Sequence, residues 1–424
     1  MHLTYRNVND AFYGIVSGID KDWYGTIPTI ETNSRNGPVL QIPEPVIITY
    51  TNPKERVLFN AARDCNPFFH LFEALWMLAG RNDVAPLSYY NSKIKDYSDD
   101  GRTLNGAYGY RWRGNKSLRH DPSAVPADYT DQLDILVNHL RADPNSRRAV
   151  LQMWNVEDDL LKIGGKCLLD GEYHKSNNND PGSRDVCCNL SVMFSLRGTG
   201  KCKSCYPEKT ETTEEGYCCR CLDRNPPRKQ EGGEVFVLDI TVTNRSNDLI
   251  WGALGSNHVH FSFLQEYMAA RIRVEVGVYN QFSNNLHVYL NNWKPREWLE
   301  AEDNWRYSPY FKKPESIKTV PLIKDPKVFE KELREFVEIH SSGIYRYENT
   351  KWSEPFFRDV AEPLLQSYHV YKSDLFVPKS LVDSIKADDW RIVARNWIER
   401  RQGRNRWKKL LSEEKLSDAS DLAV

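Results

Sequence analysis

Two adjacent cysteines, Cys187 and Cys188, open the alternating segment Asp185-Val186-Cys187-Cys188-Asn189-Leu190-Ser191-Val192-Met193-Phe194, just past a polar loop rich in Asn, Asp and Gly. A sulfur at the mouth of a strand lies near the surface, where a charged partner turns it into a thiolate nucleophile. The competing reading is a pair of small buried apolar residues, the commoner fate of an intracellular cysteine. Other residues in the chain favour the nucleophile. Glu73 is the one acidic residue in the apolar run Phe68–Ala79. A carboxylate is rarely buried without a partner or a task, so Glu73 either reaches water at an edge or is held for proton transfer. Arginines recur beside turns: Arg35 in Asn33-Ser34-Arg35-Asn36-Gly37, and Arg147 with Arg148 after Asp143-Pro144-Asn145-Ser146. Such planar forks grip phosphate, although each could equally be a solvated turn residue.

A second cysteine group suggests a metal. Cys202 and Cys205, then Cys218 and Cys221, form two CxxC pairs with twelve residues between them, a spacing suited to one tetrahedral Zn2+. Free thiols in an insertion are the alternative. The flanks, Leu190–Leu196 and Val235–Thr243, read as strands, so the knuckle is expected to cap a long hairpin.

The elements that must carry these residues follow from periodicity. Phe68–Ala79 reads as a nearly all-apolar helix ended by Gly80, and residues 127–141 as an amphipathic helix with Tyr129, Leu133, Leu136 and Leu140 on one side. Val39–Ile42 and Val274–Tyr279 alternate as strands, and a helix is expected over Asn257, His258, His260 and Tyr267. His258 and His260 fall on different helix faces, which argues for packing or hydrogen bonding and against a paired metal site. Arg147 and Arg148 are expected on a strand, pointing to opposite faces. Residues 1–50 show only short apolar pieces and turns. Beyond about residue 300, helical stretches at 328–339, 353–374 and 389–411 include an apolar stripe of Trp390, Val393, Trp397 and Trp407.

Composition narrows the class. The 57 basic and 58 acidic side chains nearly cancel, so no global field recruits nucleic acid or an anionic membrane. Twelve Trp, 22 Tyr and 16 Phe suit a folded protein. The start does not read as a signal peptide, no apolar run is long enough to span a bilayer, and nine cysteines clustered in this way suit a reducing cytoplasm.

Taken in order, the segments from about residue 30 to 290 resemble the thymidylate synthase superfamily, including its pyrimidine-nucleotide hydroxymethylase branch. The resemblance implies an α+β fold of three layers with a large mixed sheet. Residues 1–300 would be the catalytic domain, carrying the zinc-knuckle hairpin insertion (198–233), and 301–424 a mainly helical C-terminal extension. It implies 5,10-methylenetetrahydrofolate as cofactor and a pyrimidine nucleotide monophosphate as substrate. Cys188 falls on the nucleophile, Glu73 on the glutamate that orders water and moves protons, and Tyr108, in Tyr108-Gly109-Tyr110-Arg111-Trp112-Arg113, on the proton network. Arg35, Arg245 and Ser246 fall on phosphate contacts. Arg147 and Arg148 would reach the phosphate of the partner subunit, which implies a homodimer. Asn257 corresponds to the residue that reads the pyrimidine edge, although the stretch from Gly252 is one residue longer than the family's and Ser256 could take that place. His287 and Tyr289 match the sugar-hydroxyl contacts, and Asp248 and Gly252 the folate side.

Departures from the pattern favour hydroxymethylation over methylation. Ile94 stands at the folate-packing tryptophan, where a smaller residue admits water to the reactive methylene. Asn189 replaces a histidine, Cys187 a proline and Met193 a glutamine, and the helical extension stands where a synthase has its closing segment. An asparagine amide suits uracil, which makes dUMP the expected substrate and dCMP the next. A methylating synthase and a nucleic-acid-binding protein on a retired scaffold are the alternatives; neither nucleic acid nor membrane is an expected partner.

Overall fold

Twelve strands and a set of helices form a mixed α+β architecture in the computed structural model, which describes residues 1–34, 36–114, 131–160, 162–163, 166–167, 185–201, 234–301, 309–312, 317–341 and 351–403. In chain order the strands are β1 (His2–Tyr5), β2 (Ile30–Ser34), β3 (Gly37–Gln41), β4 (Val46–Tyr50), β5 (Val150–Gln152), β6 (Lys162–Ile163), β7 (Lys166–Cys167), β8 (Asn189–Lys201), β9 (Glu234–Asn244), β10 (Asn247–Asp248), β11 (Glu275–Ser283) and β12 (Leu286–Tyr289). The large sheet has the order β1-β4-β11-β9-β8-β5, with β1/β4 and β11/β9 parallel and the other pairs antiparallel. A smaller sheet runs β10-β12-β3-β2, and β6 pairs only with β7.

Alternation sets which side of the large sheet is covered. Val192 and Phe194 of β8 face Val242 and Ile240 of β9 in register, and all four are buried. Met193 of β8 and its partner Val150 of β5 remain exposed. The expected long hairpin is therefore present as β8 and β9, and the four knuckle cysteines Cys202, Cys205, Cys218 and Cys221 lie outside the described residues, as does Arg35. No helix among the described residues is long and apolar enough to cross a membrane.

The helices that matter for the site stack on the covered face. They are α1 (Val8–Ile19), α2 (Pro67–Leu78), α3 (Val84–Tyr90), α4 (Tyr108–Arg113), α5 (Gln132–Ala142), α6 (Val156–Asp159) and α7 (Asn257–Ile272). Helix α7 lies on β9 and β11, and α2 and α5 lie on α7. Buried Gln265 pins α7 to the sheet by donating Nε2 to the Leu238 carbonyl at 2.8 Å.

Helix α2 forms because both ends are encoded locally. Asn66 caps it by accepting the N–H groups of Phe68 and Phe69 at 3.1 Å, and Pro67 occupies the first turn. At the other end Gly80 has φ +73°, and the Gly80 and Arg81 N–H groups close on the Met77 and Trp76 carbonyls. Phe68, Leu71, Phe72, Leu75, Trp76 and Leu78 are all essentially inaccessible. Each contributes roughly 1.5–3 kcal/mol of burial.

Several expectations are corrected or sharpened. The N-terminal region, expected as pieces and turns, contains the buried helix α1 and two strands of the main sheet. The loop around Arg35 is a tight hairpin between β2 and β3, with Gly37 at φ +116°. Strand β5 starts only at Val150, so Arg147 and Arg148 sit in the turn before it, both exposed, and not on opposite strand faces. Helix α5 keeps the stripe Leu133, Leu136 and Leu140, all buried; Tyr129 and Trp407 lie outside the described residues. Past residue 300, helices occupy Pro326–Ser341, 355–372 and 388–403, and their side chains join the same core. Phe68 of α2 packs on Tyr368 and Trp397 with ring centroids 5.0 and 5.2 Å apart.

Helix α4 crosses α2 at Gly109, where an added Cβ would collide with the Met77 backbone. Because backbone cannot yield as a side chain can, Gly109→Ala should cost at least about 2–3 kcal/mol, read as a fall in the urea midpoint. An unchanged midpoint would show that the two helices do not need this approach.

Candidate active site

Cys188 sits where the hairpin begins. The register pairs Asn189 of β8 with Asn244 of β9, so the residues on either side, Cys188 and Arg245, meet at the end of the ladder. The Arg245 N–H donates to the Cys188 carbonyl at 3.0 Å. Its guanidinium donates through Nε to the Cys187 carbonyl at 3.0 Å and through Nη2 to the Val186 carbonyl at 3.3 Å. Nη2 also lies 3.8 Å from the Cys188 sulfur. A guanidinium at that distance favours negative charge on sulfur. The Trp154 ring lies 5.6 Å from the same guanidinium.

The two sulfurs have different environments. Cys187 is buried, its Sγ bonds the Asn189 carbonyl at 3.0 Å, and burial pushes its thiol well above the ordinary range. It therefore keeps its proton. Cys188 is half-buried and carries the arginine contact. The two thiols thus differ in burial and in partner.

Helices α2, α4 and α7 carry Glu73, Tyr108 and His260. Burial raises the Tyr108 hydroxyl pKa well above its ordinary value, and interactions with Cys188, Cys187, Asp185 and Glu73 add to the rise. All four therefore lie within electrostatic reach of one phenol, whose ring stacks on Phe261. Glu73 is buried and bonds His260 Nε2 through Oε2 at 2.8 Å. His258, two residues earlier, packs between Tyr50 and Tyr279, and burial lowers it to about 3, so it is neutral.

A polar ladder lines the other side. Asn257 donates Nδ2 to Asn247 Oδ1 at 3.0 Å, and Asn247 donates in turn to Ser283 Oγ at 3.2 Å. Gly252 is required here, since a Cβ would press on Asn247 Oδ1. His287 pairs with Asp248 across the short parallel ladder β10/β12 and bonds Asn285 Oδ1 at 2.8 Å. Tyr289 packs edge-on to His287, and its hydroxyl accepts from Asn36 Nδ2 at 3.4 Å, beside the position of Arg35. Asp248 accepts the Trp251 N–H through Oδ1, while its buried Oδ2 has no hydrogen-bond partner. Burial raises this carboxyl. A buried acceptor without a donor suits a ligand that carries N–H groups, as a pterin ring does. Ser246 is half-buried in the turn between β9 and β10.

Not every expected residue joins the cluster. Among the described residues no hydrogen bond or ion pair links Arg147 or Arg148 to Cys188, Glu73 or Arg245. Ile94 lies in the short 3-10 turn Ser92–Tyr97, half-buried against the core. His260, expected to pack or hydrogen-bond, does hydrogen-bond, though its partner Glu73 was not foreseen, and Asp185 was not singled out. His260 lies three positions past Asn257, a spacing that puts both on one helix face. Asp185 lies three residues before Cys188, and its Oδ2 accepts the Gly106 N–H at 2.7 Å.

Loss of hydration pushes the Asp185 carboxyl up from 3.8 to about 6, against the lowering bond from Gly106. A carboxyl raised in the folded state binds more protons folded than unfolded, so its ionisation opposes folding. That penalty is full above about pH 6 and fades as pH falls toward 4. Asp185→Asn, which still accepts from Gly106, should melt higher than the parent at pH 7.5, by roughly 1–3 kcal/mol. The gap should close by pH 4; a constant gap would assign it to another cause.

Residues 59–168 match the family model described as thymidylate synthase. A deoxyuridylate hydroxymethyltransferase of Pseudomonas phage M6 is 35% identical over 388 residues, 88% of this chain and 88% of that protein. The protein of the same name from Bacillus phage SP01 is 35% identical over 250 residues, 59% of this chain and 50% of that one. A thymidylate synthase of Wigglesworthia glossinidia brevipalpis is 32% identical over 95 residues, 22% of this chain and 33% of that enzyme. With likeness over most of its length to the first, the chain belongs to the thymidylate synthase family, in the branch of the phage deoxyuridylate hydroxymethyltransferases.

Proposed function

We propose that this protein transfers a one-carbon unit to C5 of dUMP and completes it with water, giving the 5-hydroxymethyl nucleotide. The observation that supports the reading is the Arg245 guanidinium 3.8 Å from Cys188 Sγ, with Cys188 and Glu73 both within electrostatic reach of the Tyr108 phenol. Carbon 5 of a pyrimidine is a poor nucleophile until something adds at carbon 6. The Cys188 thiolate adds there and later leaves, which is covalent catalysis of the kind a polarised thiol performs. 5,10-Methylenetetrahydrofolate supplies the one-carbon unit at the oxidation level of formaldehyde. Asp248, with its unpartnered Oδ2, and Gly252 would hold the folate, and Ile94 would face it. Glu73 and Tyr108 move protons at the carbonyl edge and at C5.

Substrate contacts follow the same logic. Asn257 presents an amide that both donates and accepts, as the edge of uracil requires. His287 and Tyr289 would take the sugar hydroxyl. Arg35, Arg245 and Ser246 would take the phosphate; Nη1 of Arg245 takes part in none of its bonds to the chain. Arg147 and Arg148 would complete the phosphate site of a partner subunit, consistent with their exposure and with the open sheet face at Val150 and Met193. We assign the protein as a cytoplasmic homodimer, with residues 1–300 catalytic and 301–424 a helical extension. One structural Zn2+ on Cys202, Cys205, Cys218 and Cys221 is supported by their spacing.

Incubation with methylenetetrahydrofolate and dUMP or dCMP in separate tubes, read by mass spectrometry, should give a hydroxymethyl nucleotide from dUMP. A methyl product would make the protein a synthase, and reaction of dCMP alone would move the base assignment. Cys188→Ala should abolish turnover while Cys187→Ala leaves most of it; the reverse pattern names the other sulfur. Mixing inactive Cys188→Ala with inactive Arg148→Ala should restore activity if the arginine crosses the interface, because some hybrid dimers then hold one intact site. No recovery would place Arg148 in its own subunit's site or outside both.

A further inference from the structure

Glu73 is anchored by one oxygen only. Oε2 is bonded to His260 Nε2 at 2.8 Å, while among the described residues Oε1 has no hydrogen-bond partner, and the side chain keeps 11% exposure. His260 is almost fully buried, and its Nδ1 has no hydrogen-bond partner either. Among the described residues, the imidazole therefore makes its one hydrogen bond to this carboxylate. The arrangement crosses two helices, α2 and α7, and Tyr108 of α4 lies within electrostatic reach of the same carboxyl.

We propose that His260 is a positioning residue for the water-addition half of the reaction: by holding Oε2 it fixes the plane of Glu73 so that Oε1 meets the attacking water. The inference rests on the hydroxymethylation reading. In that step the water oxygen bonds to the exocyclic methylene carbon and its proton passes to Glu73 Oε1. The electron pair of the methylene double bond moves to the C4 carbonyl oxygen. Its return re-forms the ring C5–C6 double bond and expels the Cys188 thiolate. No oxidant or reductant is consumed. A carboxylate free to rotate would spend much of its time with neither oxygen on the water, and misplacement of this order costs about 10- to 100-fold.

The test separates this step from those before it. 5-Fluoro-dUMP carries at C5 a fluorine that cannot leave as a proton, so its covalent adduct with Cys188 stalls before any methylene forms. His260→Ala should form that adduct, read by intact-protein mass, as the parent does, with a dUMP KM within about threefold. Its kcat for hydroxymethyl product should fall about 10- to 100-fold. His260→Gln, whose amide N–H can still reach Glu73, should recover part of the loss and keeps the test usable if the alanine variant folds poorly. Unchanged kcat in both variants overturns the proposal. So does loss of adduct and of turnover in equal measure in the glutamine variant, which would make His260 a packing residue. A parent protein that forms no hydroxymethyl nucleotide overturns the functional reading instead.

Discussion

The bonds of Arg245 to the chain around Cys188 fix where the reactive sulfur lies. One residue ties the turn after β9 to three successive residues ahead of β8, through the carbonyls of Val186, Cys187 and Cys188. Those carbonyls precede the ladder and have no strand partner to satisfy them, so the arginine supplies what the sheet does not. The same register places Asn189 opposite Asn244, with a side-chain bond between them at 2.9 Å. A slip of one residue would turn every side chain of β8 to the other face and part Cys188 from Arg245. The thiol's place is thus a property of the sheet, and the loop before it only has to reach.

Helix α2 supplies the second constraint. A helix apolar on all sides must be covered on all sides, which a single sheet and its neighbours cannot do. Helix α7 covers one flank, α4 closes down at Gly109, and the helices at 355–372 and 388–403 cover another through Tyr368 and Trp397. Inside that enclosure one carboxylate needs a partner, and His260 provides it. The C-terminal helices are therefore coupled to the candidate site through the helix that bears Glu73, without touching it themselves. Arg400 and Arg401 add an outer clamp, both paired with Asp64 just ahead of α2.

Much of this was legible in the sequence because the signals are local. The ends of α2 are written in Asn66, Pro67 and Gly80, and the hairpin in the alternation of β8 and β9. The roles of Cys188, Glu73, Tyr108 and Arg245 came from the resemblance, and the structure brings those four residues together. What stayed hidden depends on distant partners. Helix α1 was missed although Val8, Ala11, Phe12, Ile15, Val16 and Ile19 repeat with helical spacing, because the surrounding turns diluted the pattern. The His260–Glu73 bond joins residues 187 positions apart, so no spacing rule could reveal it. Weighing His258 and His260 only against each other concealed that each has its own neighbours.

The resemblance implies one extra residue between Gly252 and Asn257, and the local backbone has a place for it. Residues Leu249–Ser256 form a π-helix, in which each turn holds one residue more than an α-helix would. The Asn257 N–H bonds the Gly252 carbonyl five residues back, and Gly255 takes a non-helical conformation with φ −123° and ψ −120°. The added residue is spent inside that wide turn. Beyond it Asn257 begins α7 with its side chain buried on Asn247, while Ser256 is only half-buried. Had the segment stayed α-helical, the insertion would have rotated α7 by about 100° and carried both Asn257 and His260 away from α2. The wide turn thus leaves Asn257, buried on Asn247, and His260, the partner of Glu73, on one helix face.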